Sequence, residues 1–510
     1  MSSQTLSARG VQRKILLLSL GALTLSAFAC ALNKAGTRDV RELLGRFERE
    51  RGNISAAYGR LTRRVAATQA AQPSTQPAGG SVFVESGLAG LIALALERNP
   101  EIQAAIETAQ SRANRISQET ALPDPMLSTK TLPTPLALAD GNQYFVLGVD
   151  QEFPAPEKLD RRGRVALAEV RMALQELRRV QQRVIAELKR AYFEMFVIDR
   201  TIDLTEENKS VLRDLVDVAR AELTAGRRGQ QDVLRAEVEF LNLERELIDL
   251  RQRRLSTLAL INSLLDRPSD MLVQTPALYD VRRIEPRFDY LLARAMRENP
   301  ELARLQRQIE RDEQSVRLAR LAYWPEFRLG FEWMSMQQRD AFVPPRDPFT
   351  GVRPAVNQAS EMGGDMWAIN FGFSLPIWYE KIEAGIREAR HALAASRQEF
   401  TAAKNTLAYR VQDGLARVRA QRELVDLLAD AIIPQARQAY EVSRLSYSAG
   451  TVDFQFLIEN WQVWLDLRTQ YYRALGELER AIADLEQAVG VSVVEAQVGE
   501  SNEHTVRQRQ

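Results

Sequence analysis

Hydrophobic residues recur at alternating spacings of three and four along two long stretches of the chain. In the first stretch, from about residue 158 to residue 223, the seam comprises Leu167, Val170, Leu174, Leu177, Gln181, Val184, Leu188, Ala191 and Met195. In the second, from about residue 380 to residue 448, it comprises Ile382, Ile386, Ala389, Leu393, Ser396, Phe400, Ala403 and Leu407. This spacing is typical of a coiled coil. The first helix would be about 100 Å long at a rise of 1.5 Å per residue, which excludes an ordinary globular domain.

Two shorter segments in the second half of the chain, 326–336 and 366–377, alternate with a period of two. One face of the later segment carries Trp367, Ile369, Phe371, Phe373 and Leu375. The intervening positions carry Ala368, Asn370, Gly372 and Ser374. The alternation predicts strands with one face toward lipid or a core and the other toward water. In the first half, 126–132 and 142–153 give a weaker strand signal, with a turn rich in Pro and Gly between them.

A short motif begins each half of the chain. Asn99-Pro100-Glu101 and Asn299-Pro300-Glu301 stand in similar surroundings, "ERNPEIQ" and "RENPELA". The motif predicts two repeats, each ordered as helix, strand, strand, long helix, tight turn and helix. The first repeat spans 86–267 with helices 158–223 and 230–265, and the second spans 288–489 with helices 380–448 and 454–489. A linker, 268–287, joins them. We predict one continuous helix through each motif, from 86 to about 121 and from 288 to about 322. An N-terminal capping turn is the alternative explanation of each Asn-Pro pair.

The N-terminal part of the chain contains targeting and linker sequence. Arg13 and Lys14 precede the apolar run "ILLLSLGALTLSAFA", which predicts a signal peptide over residues 1–29. The only cysteine, Cys30, follows directly, at the position where a lipoprotein is acylated, so Cys30 is the candidate lipidation site. Ordinary cleavage before Cys30 is the alternative, since Ala27 and Phe28 depart from a good lipoprotein signal. We predict a polar periplasmic segment over residues 30–85, which ends in a linker, and a polar tail over 490–510.

Charge and composition argue against several classes of function. Lys and Arg total 68 against 67 Asp and Glu, so no long-range field favours nucleic acid. One cysteine and two histidines supply neither a disulfide framework nor a metal cluster. A hydrolase of the cell envelope would have little material for a nucleophile and base pair. We therefore predict no enzyme, no cofactor and no metal site. Methionines near the strands, which suit Cu(I), are explained better by packing.

Four strands with one apolar face cannot insert in a membrane alone. An open sheet leaves edge groups unpaired in hydrocarbon, at a cost of several kcal/mol each, and the smallest closed barrels need about eight strands. The chain must therefore oligomerise if these strands insert. Two copies would close a narrow eight-stranded barrel, and three would close twelve strands with an open bore. The long helices would then project from the membrane.

Over nearly all of the predicted mature length the sequence resembles the TolC-type outer-membrane efflux family. The resemblance rests on the paired NPE motifs, on "ALPDP" and "AYWPE" before the strands, on Pro154 and Pro376 after them, and on the turns "TAGRRGQQDVLRAE" and "YSAGTVDFQFLIEN". It implies a mainly α fold with a small transmembrane β part and a coiled-coil α-barrel. It also implies a homotrimer whose strands complete a twelve-stranded β-barrel in outer-membrane lipid, with a long periplasmic extension. A periplasmic adaptor and an inner-membrane efflux pump are the implied partners. The PDP and NPE motifs are more similar to the metal-cation branch of that family than to its protein-secretion branch.

The resemblance also implies a gate at the two tight turns. Asp232 and Tyr447 match positions that pair there in the family, and a phenol-to-carboxylate hydrogen bond is charge-assisted. Val452 stands where the family has an arginine, a role that Arg227 or Arg228 could take. The alternative for Asp232 is the N-cap of the returning helix.

Two further carboxylates lie close to the second turn. Asp453 and Glu459, repeated by symmetry, would ring the periplasmic entrance and favour cations. A solvated helix end is the alternative for both residues. For the whole chain, the alternative function is a periplasmic adaptor or coiled-coil scaffold of the cell envelope. Such a protein would have one hairpin flanked by compact β-rich domains, whereas this sequence predicts two hairpins and strands patterned for lipid.

Overall fold

The computed structural model describes residues 87–138, 141–224, 226, 229–277, 279, 287–337, 346–352 and 365–492. The predicted signal peptide, the segment 30–85 with Cys30, and most of the tail 490–510 lie outside these residues. Within the described ranges the chain divides into a sheet unit, 111–170 with 308–396, and a helical unit, 87–110 with 171–307 and 397–492. None of the described helices contains an apolar stretch long enough to cross a membrane.

The predicted order of elements is present twice. The first repeat contains α1 (Leu88–Arg98), α2 (Pro100–Thr120), β1 (Met126–Leu138), β2 (Gly141–Phe153), α3 (Pro156–Thr224) and α4 (Gln230–Leu264). The second repeat contains α5 (Phe288–Glu298), α6 (Pro300–Arg320), β3 (Phe327–Gln337), β4 (Met366–Phe373), α7 (Tyr379–Leu427), α8 (Ile433–Ser448) and α9 (Phe454–Val489). A 3-10 turn, Leu321–Tyr323, precedes β3, and a π turn, Leu428–Ile432, joins α7 to α8.

The prediction of one continuous helix through each NPE motif is wrong, because the chain breaks at the Asn-Pro pair. Asn99 leaves the helical region, with φ −55° and ψ 124°, since the residue before a proline is disfavoured in the α conformation. Its Oδ1 accepts hydrogen bonds from the backbone N–H groups of Glu101 at 3.0 Å and Ile102 at 3.2 Å. The capping turn, which was the alternative explanation, is therefore the correct one.

The same asparagine also joins the two ends of its repeat. Asn99 Nδ2 donates to the backbone oxygen of Leu264, the last residue of α4, at 2.9 Å. Asn299 repeats the arrangement. Its Oδ1 accepts hydrogen bonds from the backbone N–H groups of Glu301 at 2.9 Å and Leu302 at 3.1 Å, which caps α6. Its Nδ2 donates to the backbone oxygen of Ala488, near the end of α9, at 2.9 Å. Each NPE motif thus fastens the start of a repeat to the end of that repeat's last helix.

Burial confirms the two predicted seams. In α3 every seam residue from Val170 to Met195 is buried, including Gln181, and Leu167 is half-buried. In α7 the seam residues Ile386, Ser396 and Leu407 are buried, and the other seam positions are half-buried.

In the helical unit, α3 packs against both α4 and α9. Arg220 of α3 pairs with Glu237 of α4 at 2.6 Å. Arg190 of α3 pairs with Asp484 of α9 at 2.6 Å. Gly476 of α9 faces α3 so closely that an added Cβ would meet a side chain of that helix, which explains a glycine inside a long helix.

The helix α9 packs in turn against α7 and α8. Asn460 of α9 donates to Ser443 Oγ of α8 at 2.8 Å. A Cβ added to Gly414 of α7 would lie 3.3 Å from Leu485 Cδ1 of α9. Hence α3 and α9 are the central helices of the unit, and α4 and the α7–α8 helix each pack against this pair.

The predicted continuous helix over 380–448 is interrupted by the π turn, Leu428–Ile432. The cause is Pro434, which has no backbone N–H and whose ring would collide with the carbonyl group four residues earlier in a regular α-helix. A π turn adds one residue to the helical turn and so removes that collision.

The sheet unit contains one antiparallel four-stranded sheet in the order β1-β2-β3-β4. Strand β1 extends to Leu138, so the expectation of a turn beginning at Pro133 is wrong. The β1–β2 register shifts between Thr131 and Leu136, a stretch that includes two prolines. Prolines are tolerated there because the ladder to β2 is interrupted at the register shift, where a missing N–H breaks no paired hydrogen bond. Strand β4 ends at Phe373, before the predicted residue 377.

Candidate functional site

The turns that end the two helical hairpins lie close to one hydrophobic cluster, which we call the tip cluster. Its buried members are Leu212, Leu215, Val216, Ala219, Val233, Ala236, Leu243, Tyr440, Tyr447, Phe454, Leu457, Ile458 and Trp461, from α3, α4, α8 and α9. The indole N–H of Trp461 donates to Asn208 Oδ1 of α3 at 3.1 Å inside the protein. Gly226 and Gly450 close the two turns with φ +70° and +72°, a conformation that favours glycine.

The two predicted gate residues occupy different environments. Tyr447 is 4% exposed, and its ring meets Phe454 edge to face at 5.3 Å. Asp232 is half-buried in the first turn of α4, where a carboxylate interacts favourably with the helix dipole. The alternative of an Asp232 N-cap is wrong, because Gly229 occupies that position. Val233, next to Asp232, shares the tip cluster with Tyr447.

The predicted entrance carboxylates lie at the start of α9. Asp453 is the N-cap residue of α9 and is exposed, and its side chain makes no capping hydrogen bond. Glu459, six residues further along the chain, is exposed and accepts a hydrogen bond from Gln455 Nε2 at 2.8 Å. Val452, at the position of the family's arginine, packs against the tip cluster. Arg227 and Arg228 lie outside the described residues.

One face of the sheet is apolar along β3 and β4 and carries apolar residues of β2 and β1 as well. Trp367, Ile369, Phe371 and Phe373 of β4 stand directly opposite Trp333, Phe331, Leu329 and Phe327 of β3. The register continues through Leu147 and Val149 of β2 to Leu127 of β1. Directly opposed residues of an antiparallel pair point to the same side. The five predicted lipid-facing residues, with Leu375 just after the strand, are 57 to 67% exposed.

The other face of the sheet is crossed by charged side chains. Arg328 of β3 forms an ion pair with Glu152 of β2. Gly330 lies opposite Asp150, and a Cβ at Gly330 would lie 2.5 Å from Asp150 Oδ1. The glycine therefore lets the carboxylate of its partner strand lie flat across the sheet.

Exposed aromatic residues at one end of β3 and β4 were missed by the sequence prediction. Trp324 and Tyr323 precede β3, and Trp378 and Tyr379 follow β4, all exposed. The Tyr323 hydroxyl donates to Glu383 Oε1 at 2.7 Å, which keeps its polar end paired. Rings with an apolar body and a polar end are enriched at membrane–water interfaces. The segments "AYWPE" and "PIWYEK" carried this signal in the sequence.

Several known proteins share these features. A model of the family described as "Outer membrane efflux protein" matches residues 91–266 and 291–491. These two ranges coincide with the two repeats. The chain belongs to the outer membrane efflux protein family.

Among individual proteins, the chain is similar to the cobalt-zinc-cadmium resistance protein CzcC of Cupriavidus metallidurans strain CH34. The two are 18% identical over 413 residues, which is 81% of this chain and 91% of CzcC. The solved CmeC outer membrane channel of Campylobacter jejuni has a TM-score of 0.65 at 14% identity, over 82% of this chain and 93% of that one. The open state of the MtrE outer membrane channel of Neisseria gonorrhoeae has a TM-score of 0.63 at 17% identity, over 83% and 97%. The structural likenesses show a shared fold.

Family membership decides between the two functions that the sequence left open, an exit duct and a periplasmic adaptor or scaffold. The outer-membrane location and the exit-duct function are confirmed, and the adaptor alternative is not supported. The family and the fold are those of channel proteins rather than of enzymes. Within the described residues, no group of three or more His, Cys, Asp or Glu side chains could hold a metal ion.

A network of ion pairs lies near the second NPE motif of this efflux protein. Arg179 donates to both carboxylate oxygens of Glu176 at 2.6 and 2.8 Å, and Arg304 donates to Glu301 at 2.8 Å. The hydrogen bonds from Arg179, opposed by partial burial, hold the pKa of Glu176 below its usual value. Charge on Arg304 acts in the same direction, so the pairs on α3 and α6 are electrostatically linked.

Proposed function

We propose that three copies of this efflux protein form one exit duct, which receives substrates from an inner-membrane pump through a periplasmic adaptor. The observation that carries the proposal is the sheet. One of its faces carries exposed apolar side chains on each of the four strands, the other carries charged side chains, and β1 and β4 both have an open edge. Open edges in hydrocarbon leave backbone groups unpaired, so the sheet requires neighbours. Three copies would supply twelve strands.

The predicted gate fits this proposal, because the tip cluster would hold the gate residues in place. Tyr447 contributes to the packing that holds the ends of both hairpins together. Asp232 would act at the rim of the same cluster. In the closed duct these residues would keep hairpins from separating, and opening would require the hairpin ends to move.

Metal cations are the proposed class of cargo. The named function of the relative CzcC, resistance to cobalt, zinc and cadmium, supports this class. Exposed carboxylates at Asp453 and Glu459 would favour cations at the entrance when three chains bring them together. Asp453→Asn should weaken cation preference in planar bilayers and leave the conductance similar, since only the fixed charge is lost. An unchanged ion preference would remove Asp453 from the entrance.

Fractionation and size measurement test the duct itself. The mature protein should enter the outer-membrane fraction and elute in detergent as a trimer. Purified trimers should conduct ions in planar bilayers. Release as a soluble monomer without detergent, or a stable dimer in the membrane, would overturn the proposal.

A further inference from the structure

Three methionines lie together where β3 ends and β4 begins. Met334 of β3 stands directly opposite Met366 of β4, and Met336 follows two residues later on β3. Side chains alternate between the two faces of a strand, so all three methionines share the face that carries Arg328. The register therefore places three thioethers on the charged face of the sheet.

The spacing of these residues lets their sulfur atoms converge. Directly opposed residues of an antiparallel pair, such as Met334 and Met366, have Cβ atoms about 4.5–5.5 Å apart. Met336 and Met366 are diagonal neighbours at about 7–8 Å, a distance that long side chains bridge. A methionine side chain is unbranched and flexible. The three sulfur atoms can thus meet at one point above the sheet.

Packing within the chain does not account for this group of methionines. Met195 of α3 shows what packing gives, because it is fully buried in a hydrophobic cluster of the helical unit. On the sheet only Met336 is buried, whereas Met334 is half-buried and Met366 is 38% exposed. The row that contains Met334 and Met366 continues across β2 to Lys130 of β1 and so ends in a charge. Side chains that stay open to water gain little from the hydrophobic effect.

Negative charge near the methionines favours a cation there. Asp365 Oδ1 accepts a long hydrogen bond, 3.4 Å, from the backbone N–H of Met336, which brings a carboxylate to this end of β3. Glu332, two residues before Met334, lies on the same face. Lys130 lies two strands away from Met334, about 10 Å at the usual strand spacing. Both carboxylates thus lie closer to the thioethers along the sheet than the lysine does.

We propose that Met334, Met336 and Met366 bind a soft monovalent metal cation, Cu(I) or Ag(I). Thioether sulfur is a soft ligand that selects Cu(I), whereas harder divalent cations prefer oxygen or nitrogen ligands. The proposal rests on the proposed function, in which metal cations pass the charged face of the sheet on their way out, and it narrows the class of cargo. Conduction requires sites that also release the cation. Uncharged thioethers hold a cation less firmly than thiolates, so they suit a site of passage.

Silver binding to the purified protein tests the site, since Ag(I) is a soft cation that needs no reductant. In chloride-free detergent solution the parent should bind one more Ag(I) per chain than a variant that carries Met334→Leu, Met336→Leu and Met366→Leu. Equilibrium dialysis followed by elemental analysis measures this difference. Leucine is chosen because exchanges of methionine for leucine conserve volume.

Met126→Leu is the matched control for silver binding. Met126 is an exposed methionine of β1 on the same face, but its row contains Asp150, Gly330 and Asn370 and no other methionine. Its replacement should leave the bound silver unchanged. Cys30 is present in every variant, so any silver on its thiol cancels in the comparison.

Protection from oxidation gives a second measurement, on the unmodified protein, which remains available if the triple variant fails to fold. Hydrogen peroxide converts methionine to its sulfoxide. Bound Ag(I) should slow this reaction at Met334 and Met366 and not at Met126, as followed by mass spectrometry of peptides. An excess of Zn(II) in place of Ag(I) should give no protection.

Several results would overturn the inference. They are equal silver binding by the parent and the triple variant, an equal loss in Met126→Leu, the same protection at Met126 as at Met334, or protection by Zn(II). The site lies within one chain, so the silver measurements do not depend on assembly. A protein that is not a trimer would refute the duct proposal through its size, whereas a conducting trimer without the silver site would refute only this inference.

Discussion

Removing the Asn99 side chain should destabilise the protein through two contacts that can be measured apart. Asn99 is 3% exposed, caps α2 through Oδ1 and ties Leu264 through Nδ2. In Asn99→Ala both contacts are lost. Losing the cap costs about 1 kcal/mol. Leaving the carbonyl of Leu264 without its donor costs about 1–2 kcal/mol, because that residue is half-buried. The expected total is about 2–3 kcal/mol.

A serine at the same position separates the two terms. Asn99→Ser keeps an oxygen that can cap α2 but is too short to reach Leu264, so it should lose only the second contribution of about 1–2 kcal/mol. Unfolding midpoints would be followed by far-ultraviolet circular dichroism in one detergent at constant protein concentration. The stability order should be parent, then Asn99→Ser, then Asn99→Ala. Substitutions at Asn299 should give the same order, because the contacts recur there.

Asn242→Ala is the matched control, since Asn242 is an exposed asparagine of α4 whose hydrogen bond to Glu239 is 3.4 Å long. A surface change of this kind should stay within about 0.5 kcal/mol. If Asn99→Ala lowered the free energy of unfolding no more than Asn242→Ala does, the Asn99 side chain would contribute nothing measurable to stability. The role of Asn99 in joining the two ends of its repeat would then be refuted. If the serine and alanine variants lost equal stability, the capping contribution alone would be rejected.

Three further predictions concern the sheet, the tip and the ion pairs. Phe371→Arg should impair membrane insertion by about 2–4 kcal/mol near the midplane, and Asn370→Arg on the polar face should be tolerated; equal yields of inserted trimer from both would reject the assigned faces. Asp232→Ala with Tyr447→Phe should raise single-channel conductance without changing trimer content, and parent-like conductance would show that closure has another cause. The lowered pKa of Glu176 stabilises the fold at pH values above 4.5, the ordinary pKa of the carboxyl group, and this contribution disappears as the pH falls through the lower pKa of the folded state. The difference in unfolding free energy between the parent and Glu176→Gln should therefore narrow in acid. A difference that stayed constant with pH would contradict the pairing of Glu176 with Arg179.

The sequence by itself determined the order of the elements and most of their inward faces. Seam residues such as Val184 and Leu188 are buried because a helix repeats its faces every three to four residues, whatever lies beyond it. The period of two fixed the apolar side of β4 for the same local reason. Turn glycines at Gly226 and Gly450 also follow from local geometry, since positive φ is costly for other residues.

Only the tertiary structure decided what each of these faces meets. The second contact of Asn99 depends on Leu264, which is distant in sequence, and no local pattern predicts it. The burial of Tyr447 likewise depends on three other helices. Leu234, Leu241, Ile248 and Leu255 of α4 recur every seven residues as an apolar row would, yet in one chain they are exposed. Periodicity specifies that a helix has an apolar face, and the arrangement of the neighbouring helices specifies whether the chain covers that face itself.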